Sequence, residues 1–494
     1  MTGTDQRDAL PAAQRRAVRE LLRVAPVVDA VGRRLTSAGY EAALVGGWVR
    51  DALLGRASDD LDLATDARPS EVKALVAGWA DAVWDVGQAF GTIGCRKDGL
   101  TIEITTYRTE AYDRASRKPE VAYGRTLADD LVRRDFTVNA LAVTLPGHEF
   151  VDLHGGLEDL ARRVLRTPGT PQESFSDDPL RMLRAARFAA TLGFTVAPEV
   201  VAAMGEMSGR LEIVSAERIR DELSKLLLGA DPRRGLGLVV DTGLAEHVLP
   251  ELPALRLEID EHHRHKDVYE HSLTVLEQAV ELEHRLPDGG PDLVLRLAAL
   301  LHDIGKPRTR RFEPGGGVSF HHHDVVGAKL TRKRLTALRY PKDVVDAVAA
   351  LVQLHLRFHG YGGGEWTDSA VRRYVRDAGP LLPRLHALTR ADCTTRNRRK
   401  AATLRAAYDD LEARIEQLAE QEELAAIRPD LDGNAIMAAL DVPPGPVVGR
   451  AYRHLLEVRL DRGPQTEDQA LAELRRWWAE QPESAAAPGR TPQP

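Results

Sequence analysis

Residues 44–62, which read LVGGWVRDALLGRASDDLD, constrain the fold and the chemistry of this chain more than any other stretch. The apolar run 42–45 predicts a buried strand, and Gly46 and Gly47 end it and open a short helix over 48–54. Glycine lets a backbone approach a ligand closely, and the free N–H groups at a helix N-terminus attract anions. We therefore expect a phosphate-binding turn at the two glycines.

Two carboxylates, Asp60 and Asp62, follow this turn at a spacing of two residues. Residues two apart on a strand point to the same face, so Leu61 and Leu63 would point into the core. Convergent carboxylates beside a phosphate site suit Mg²⁺, which takes oxygen ligands and often binds substrate phosphates. Most Asp-x-Asp pairs are solvated loop acids, so the prediction of a catalytic metal site depends on the combination with the glycines.

A third carboxylate, Glu103, lies in the alternating stretch TIEITTYR at residues 101–108. Beside Asp60 and Asp62 it would complete a site for two metal ions. The alternative interpretation is an exposed acid on a strand, and the sequence leaves both open.

Length and composition exclude several classes of protein. With 494 residues the chain is too long for one core, and its alanine, leucine and arginine content favours helix. Only two cysteines, Cys95 and Cys393, are present, which excludes a disulfide framework and a cysteine-based zinc site and fits a reducing cytoplasm. We expect neither a membrane span, which needs ~18–20 apolar residues, nor a signal peptide. The net charge of −7 leaves nucleic-acid binding to local basic patches.

The string RRDFTVNA at residues 133–140 predicts a second region of nucleotide contact. Guanidinium groups bind phosphate through paired hydrogen bonds, so Arg133 and Arg134 suit a triphosphate. Asp135 would orient an arginine, and Asn139 would bond to the sugar. Taken alone, the string also fits a surface cluster of charges.

Together, the glycine pair, the Asp-x-Asp pair and RRDFT-x-N resemble the signature of class II tRNA nucleotidyltransferases and bacterial poly(A) polymerases in the polymerase-β superfamily. The resemblance is dense over about residues 40–230 and looser over 260–400. It implies a polymerase-β-like α/β head followed by a mostly α-helical neck, body and tail. It also implies a set of nucleotide-binding residues: Gly46, Gly47, Arg50, Arg133, Arg134, Asp135 and Asn139.

The segment DPLRMLRAARF at residues 178–188 predicts a helix that reads the nucleotide base. Asp178 and Arg181 are three apart and would be neighbours on one helix face. Cytosine and adenine both present an amino donor beside a ring-nitrogen acceptor, which an aspartate and an arginine match. The resemblance gives this pair the same role, so we expect it to select CTP and ATP. Arg184 is a further expected phosphate or base contact, and Arg187 is expected on the far face.

Most of the histidines lie in the second half of the chain and predict another metal site. An apolar helix over 293–301 ends in His302-Asp303, and the order His…His-Asp…Asp resembles the HD phosphohydrolase superfamily. Imidazole and carboxylate ligands suit Mn²⁺, iron, Ni²⁺ or Mg²⁺ rather than structural zinc. His323 and His355 would complete a second ion site or bind phosphate. The expected metal ligands of this domain are His271, His302, Asp303 and Asp392.

The pattern of strands, helices and turn residues, read together with the resemblance, divides the chain into six segments. The resemblance implies a helical extension over 1–25, a nucleotidyltransferase head over 26–165, a neck over 166–255, an HD domain over 256–400, a helical tRNA-binding tail over 401–480 and disorder over 481–494. Strands are expected at 42–45, 61–64, 101–107, 138–143 and 149–151. The segment 217–228 resembles the family's fifth motif, and its charges are expected to brace that helix.

The resemblance implies a cytoplasmic enzyme that adds CMP and AMP from CTP and ATP to the tRNA 3′ end, by two-metal transfer and without a template. It implies Mg²⁺ in the head, a divalent transition metal or Mg²⁺ in the HD domain, and no protein partner. Basic patches would hold the tRNA body: Lys306, Arg308, Arg310, Arg311 and residues 396–400.

Several alternatives stay open. A poly(A) polymerase shares every motif above, and enzymes that add only CC or only A differ in a switch that the sequence does not resolve. Protein uridylyltransferases also join such a head to an HD domain, but they lack RRDFT-x-N and need room after Lys400. In a fourth alternative the HD hydrolase is the working enzyme and the head is vestigial.

Overall fold

The computed structural model describes residues 26–56, 60–88, 91–111, 120–256, 267–314, 317–358, 366–395, 397–422 and 427–486. The chain divides into two compact units, Met1–Pro253 and Ala254–Pro494. The extension expected over residues 1–25, and residues 487–494 of the expected disordered end, lie outside the described residues.

The first unit opens with an α/β region, as predicted. Its elements are α1 (Pro26–Ser37), β1 (Ala42–Val45), α2 (Gly47–Leu53), β2 (Asp60–Thr65), α3 (Pro69–Val76), β3 (Ala82–Trp84), β4 (Thr92–Lys97), β5 (Leu100–Thr106), β6 (Arg108–Ala111), β7 (Glu120–Tyr123), α4 (Leu127–Val132), β8 (Leu141–Thr144) and β9 (Phe150–Asp152).

Seven of these strands form one sheet, in the order β3-β4-β5-β2-β1-β8-β9. Neighbouring strands are antiparallel except β2 and β5, which are parallel. β6 and β7 form a separate antiparallel hairpin. Leu61, Leu63, Ile102 and Ile104 alternate along the two central strands and are all buried, so one face of the sheet packs on the core.

The expected strand over 138–143 begins later than predicted. Thr137–Asn139 form a 3₁₀ turn, and β8 starts only at Leu141. The side-chain amide of Asn139 donates to Oδ1 of Asp135, and the N–H of Phe136 donates to the same oxygen. These local bonds hold the turn, because short polar side chains compete with a strand ladder for the backbone.

A helical region completes the first unit. Its elements are α5 (Gly156–Arg162), β10 (Val164–Leu165), α6 (Pro171–Asp177), α7 (Leu180–Leu192), β11 (Thr195–Val196), α8 (Pro198–Met207), α9 (Ala216–Leu227), α10 (Pro232–Asp241) and α11 (Ala245–Val248). α7 packs against α9 and α10 and is buried along most of its length.

The second unit is almost entirely helical. Its elements are α12 (Val268–Leu282), α13 (Leu293–Leu301), α14 (Lys306–Thr309), β12 (Arg311–Phe312), β13 (Val318–Ser319), α15 (His323–Ala337), α16 (Lys342–Leu354), α17 (Asp368–Ala378), α18 (Leu382–Ala391), α19 (Arg398–Gln421), α20 (Gly433–Leu440), α21 (Pro446–Arg462) and α22 (Glu467–Ala479).

Within this unit, α13 packs between α12, α16 and α18. The last three helices surround an apolar cluster of their own, which includes Ile436, Leu455 and Leu474. Among the helices that the structure describes, none combines the length and the apolar character that crossing a membrane requires.

Candidate active site and metal centre

The pairing of two central strands brings two predicted catalytic carboxylates together. β2 and β5 run in parallel register, and Asp62 pairs with Glu103. Paired residues on neighbouring strands lie on the same face of a sheet, and the apolar residues that flank both are buried on the other. Asp60 opens β2 and pairs with Thr101, and its side chain lies outside the described residues.

The glycine turn lies directly against these carboxylates. Gly46 has a φ of 75°, and a Cβ added there would lie 2.8 Å from Nη1 of Arg134 and 3.7 Å from Oδ2 of Asp62. No side chain larger than glycine fits at this point without displacing one of them. A Cβ at Gly47, which opens α2, would lie 3.6 Å from Nη2 of Arg50. The turn, an arginine from the RRDFT-x-N string and a carboxylate therefore converge.

Asp130 holds the two arginines of that string. It is 2% exposed, and its Oδ2 accepts from Nε of Arg134 at 3.2 Å and from Nη2 at 2.9 Å. Its Oδ1 lies 3.6 Å from Nε of Arg133. A buried carboxylate between two guanidinium groups fixes their positions, because leaving either charge unpaired would be costly.

A chain of hydrogen bonds links α2 to α7. Nη1 of Arg50 donates to Oδ1 of Asn139 at 2.6 Å, Nδ2 of Asn139 donates to Oδ1 of Asp135 at 2.9 Å, and Nε of Arg184 donates to Oδ2 of Asp135 at 2.8 Å. Burial alone would raise the pKa of Asp135, but Arg184 and Asn139 hold it well below its ordinary value. The Asp135 carboxylate therefore links three other predicted site residues, Asn139 and Arg184 directly and Arg50 through Asn139.

Phe188 lies among three guanidinium groups. The guanidinium carbons of Arg50, Arg184 and Arg187 are 5.2, 5.5 and 4.2 Å from its ring centroid. The expectation that Arg187 lies on the far face of the helix is wrong, because Arg187 shares both Phe188 and Glu222 with Arg184. Glu222, 5% exposed, lies 3.2 Å from Nη1 of Arg187, and burial lowers the pKa of Arg187 to about 10.

The predicted ion pair between Asp178 and Arg181 is absent among the described contacts. Asp178 has an extended backbone with φ −144°, and α7 begins only at Leu180. The physical reason is Pro179, which cannot donate a backbone hydrogen bond and disfavours helical geometry in the residue before it. Asp178 therefore caps the helix instead of lying on its side: its Oδ1 accepts from the N–H of Leu180 at 3.1 Å, and its carbonyl accepts from the N–H of Arg181 at 3.0 Å.

Each member of the expected pair has other partners. Oδ2 of Asp178 accepts from Nη2 of Arg218 at 2.7 Å. Arg181 donates from Nη1 to Oγ of Ser174 at 2.9 Å and from Nη2 to the carbonyl of Arg133. Arg181 thus contacts the RRDFT-x-N string through the carbonyl of Arg133, whereas the Asp178 carboxylate is held by a different arginine, Arg218.

In the second unit the predicted HD residues converge. Nε2 of His302 lies 3.3 Å from Nε2 of His271 and 3.2 Å from Oδ2 of Asp303. Nε2 of His271 lies 3.0 Å from Oδ1 of Asp392. These side chains come from α12, the end of α13 and the end of α18. Imidazole nitrogens and carboxylate oxygens at such distances form a donor set that fits a divalent metal ion.

Local contacts orient the rings of this cluster. The Nδ1 atoms of His302, His323 and His355 lie 2.9, 2.8 and 2.6 Å from the carbonyls three residues earlier in the chain. This contact fixes the ring and directs Nε2 into the cluster, as in many protein metal sites. His321 and His322, the other members of the histidine run, are exposed.

Burial and charge set the protonation of this centre in the absence of metal. Burial alone would lower the pKa of His302, but Asp303 and Asp392 raise it to about 9. Burial lowers the pKa of His355 to about 4, and His302 adds to the effect. Lys306, expected in a surface basic patch, instead lies 2.9 Å from Oδ2 of Asp303.

A glycine pair lets the helices approach at this centre. A Cβ at Gly305 would lie 2.1 Å from the carbonyl oxygen of His323, and Gly327 faces it across the same contact. Only glycine permits so close a contact between the turn after Asp303 and the start of α15.

Sequence reasoning missed four residues of the first unit that hold the candidate site: Asp130, Phe188, Arg218 and Glu222. Only Asp130 left a local signal, because it lies four residues before Arg134 at the end of a helix. The other three contact the site through packing between distant segments.

Three family models match this chain. Residues 42–166 match the poly A polymerase head domain, residues 193–255 match the probable RNA and SrmB- binding site of polymerase A, and residues 268–397 match the HD domain. Nucleotidyltransferase heads and HD domains generally use divalent metal ions.

Named relatives agree with these matches. The A-adding tRNA nucleotidyltransferase of Deinococcus radiodurans is 38% identical over 450 residues, which cover 90% of this chain and 97% of that protein. The CCA-adding enzyme of Levilactobacillus brevis is 44% identical over 214 residues, which cover 43% of this chain and 53% of that protein. Matches to such CCA-adding enzymes thus span about half of their length.

The structure of the Bacillus stearothermophilus CCA-adding enzyme in complex with CTP is similar, with a TM-score of 0.66 and 25% identity. The match covers 92% of this chain and 98% of that one. Together with the relative that aligns along almost its whole length, this match shows that the chain belongs to the bacterial tRNA nucleotidyltransferase family whose members join a polymerase head to an HD domain.

Proposed function

We propose that this chain adds CMP and AMP, from CTP and ATP, to the 3′ end of tRNA without a template and so completes the CCA terminus. The observation that carries the proposal is the convergence of Gly46, Arg134, Asp62 and Glu103 in a head similar to those of CCA-adding enzymes. The relative from Bacillus stearothermophilus that is in complex with CTP supports cytidine triphosphate as one substrate.

Carboxylates of the sheet would hold the catalytic metal. Asp62 and Glu103 lie side by side on β2 and β5, and we propose that they and Asp60 bind Mg²⁺. All three offer the oxygen donors that Mg²⁺ prefers. When bound, such ions lower the pKa of the attacking hydroxyl and stabilise the pyrophosphate leaving group.

The chain's own basic groups would position the triphosphate. The N-terminus of α2 follows Gly46 and presents free N–H groups beside the carboxylates, while Asp130 holds Arg133 and Arg134 at the same edge. Arg50 is fixed through Asn139, so it needs little reorganisation on binding. We infer that these groups clamp the phosphates in line with the tRNA 3′-OH.

Base selection would come from Asp178 and Arg181, with Arg184 as a further contact. Each is held by protein partners, Asp178 by Arg218 and Arg181 by Ser174. An incoming base would compete for the same polar atoms, and a base with the reversed pattern of donors and acceptors would leave buried groups unpaired. Such a mismatch costs about 1–3 kcal/mol for each bidentate contact.

A second candidate is addition of the terminal A alone. It is favoured by one observation, the A-adding enzyme of Deinococcus radiodurans, which aligns along 90% of this chain. The two candidates predict the same chemistry in the head. They differ in the number of nucleotides added and in whether C is added before A.

A gel assay separates the candidates. It would use one tRNA that lacks CCA, one that ends in CC and an unrelated RNA, each with CTP, ATP or both. CCA addition predicts three added nucleotides on the first tRNA and one on the second, after which growth stops. Extension of the second tRNA alone would establish A addition, and a long ladder on any RNA with ATP alone would establish poly(A) synthesis.

We further propose that residues 26–165, 166–255, 256–400 and 401–480 act as head, neck, HD domain and tRNA-binding tail. The donor set of the HD domain would hold a transition metal or Mg²⁺. We propose that this domain also has phosphohydrolase activity. We place the enzyme in the cytoplasm, where its two free cysteines, Cys95 and Cys393, stay reduced.

A further inference from the structure

A tryptophan lies in the same row of the head's central sheet as two of the proposed catalytic carboxylates. Trp84 pairs with Gly94 between β3 and β4. Gly94 pairs with Glu103 between β4 and β5, and Glu103 pairs with Asp62 on β2. Directly paired residues share a face of a sheet, so the side chain of Trp84 lies on the face that carries the carboxylates.

The indole of Trp84 covers the glycine beside it. A Cβ added at Gly94 would fall on Nε1 and Cε2 of Trp84 and would lie 2.8 Å from Cδ1. The five-membered ring of the indole therefore occupies the space in which any other residue would place its side chain. Neighbouring strands lie about 4.8 Å apart, so this ring is roughly one strand spacing from the backbone of Glu103.

The face on which the indole lies is open. Glu103 is exposed, and Trp84 and Asp62 are half-buried. The residues that alternate with them, such as Ile93 and Ile102, are buried on the other face, which packs on the core. Part of the indole surface is therefore accessible beside the carboxylates, where a planar ligand could stack on it.

Trp84 and the glycine turn lie on opposite sides of the carboxylates. In the strand order β3-β4-β5-β2-β1-β8-β9, the carboxylates are on β5 and β2, and the turn at Gly46, beside Arg134, follows β1. Trp84 is on β3, at the other edge. In phosphoryl transfer the attacking and the leaving oxygens lie roughly in line on either side of the phosphorus. If the triphosphate binds at the glycine turn, the RNA 3′ end therefore approaches from the side of Trp84.

We propose that the indole of Trp84 stacks on the base of the RNA 3′-terminal nucleotide and so holds the attacking 3′-OH beside Glu103 and Asp62. Stacking suits this ligand, because the terminal base changes as nucleotides are added and every base has a π face. Hydrogen bonds to a base edge would favour one terminal base over the others. This role of Trp84 rests on the proposed function, since it requires that the head adds nucleotides at these carboxylates.

Removing the base from the RNA tests the stack without changing the protein. The assay would use ATP and two tRNAs that end in CC, one normal and one whose last nucleotide is abasic but keeps its 3′-OH. We expect kcat/KM for the abasic tRNA to fall by about tenfold, within the range of a base–aromatic stack. Trp84→Leu should cause a similar fall with the normal tRNA, no further fall with the abasic one and no change in KM for ATP. Trp84→Phe keeps an aromatic face and should restore most of kcat/KM.

Trp79→Leu is the matched control. Trp79 is also half-buried, but its ring lies 5.5 Å from the guanidinium carbon of Arg34, so this variant should behave as the parent chain does. Losses that multiply when Trp84→Leu meets the abasic tRNA would show that Trp84 only covers Gly94, and would overturn the stack. Equal kcat/KM for the two tRNAs in the parent chain would overturn it even if Trp84→Leu does not fold. A parent chain that extends neither tRNA would refute the proposed function as well, so the two failures are distinguishable.

Discussion

Arg218 donates a hydrogen bond of 2.7 Å from Nη2 to Oδ2 of Asp178, a residue forty positions earlier that is expected to read the nucleotide base. The contact joins α9 to the short break between α6 and α7. It orients the Asp178 carboxylate, and it explains why this residue does not pair with Arg181.

Arg218→Ala should weaken the choice of nucleotide rather than the chemistry. The Arg218 side chain is 51% exposed, and pairs of this kind contribute up to about 1 kcal/mol, so we expect at most about a fivefold fall in kcat/KM for CTP relative to UTP. Steady-state kinetics with both nucleotides measure the ratio. Arg220→Ala is the control, because Arg220 lies on the same helix and pairs with Asp221. Equal ratios in both variants would refute the role of Arg218.

Arg181→Ala should have a larger effect on selection. A good bidentate contact to a base is worth about 1–3 kcal/mol, so discrimination between CTP and UTP should fall by about tenfold or more. Incorporation of all four nucleotides on a gel measures this. Ser174→Ala removes the hydroxyl that holds Arg181 and leaves the guanidinium in place, so it should keep most of the selectivity. Selectivity that survives Arg181→Ala would exclude the base-reading role.

Gly46→Ala should impair nucleotide binding. The new Cβ would lie 2.8 Å from Nη1 of Arg134, which Asp130 prevents from moving aside through two hydrogen bonds. We expect KM for ATP and CTP to rise by about tenfold, a cost of ~1.4 kcal/mol in the binding free energy.

Gly39→Ala is the matched control for this change. Gly39 also has a positive φ, of 89°, but no atom lies within 4 Å of an added Cβ. It should lose stability from backbone strain and keep its KM. Similar KM values in the two variants would show that strain alone causes the effect.

Glu422→Ala should destabilise the second unit. Glu422 forms a fork with Arg372, at 2.9 and 2.7 Å, and both side chains are buried. Removing one partner of a buried pair costs about 3–5 kcal/mol, because the other charge stays buried. Urea unfolding measures the loss. Arg332→Ala breaks an exposed pair with Asp346 and should change little; equal losses in both variants would contradict the argument.

The elements of the head could be predicted where a local pattern encodes them. The run 42–45 is apolar throughout, the leucines after Asp60 and Asp62 alternate with the acids, and β1 and β2 lie where expected. β3 was not predicted because it has only three residues, and β4 and the β6–β7 hairpin were not predicted because Gly, Thr or charged residues interrupt their apolar pattern. Their pairing depends on neighbours that are distant in the chain.

In the candidate sites, too, some residues could be predicted from a local pattern and others could not. The residue types of the HD cluster are readable because His302 and Asp303 are adjacent at a helix end, and the structure brings the predicted four together. The register of Asp62 with Glu103 depends on strand order, which the sequence does not encode locally. The sequence does show Pro179, and this proline predicts that the helix begins after Asp178. Giving it more weight than the helical period would have removed the expected ion pair between Asp178 and Arg181.

The central claim is that the carboxylates of the head perform nucleotide addition. The most direct measurement compares Asp62→Ala with the parent chain on tRNA lacking CCA, with addition followed on a gel and tRNA binding by fluorescence anisotropy. Asp85→Ala, which removes an exposed acid that pairs with Lys73, is the control. We predict that Asp62→Ala abolishes addition of both C and A while tRNA binding stays within about twofold, a difference of ~0.4 kcal/mol. Addition that persists in Asp62→Ala would contradict the account.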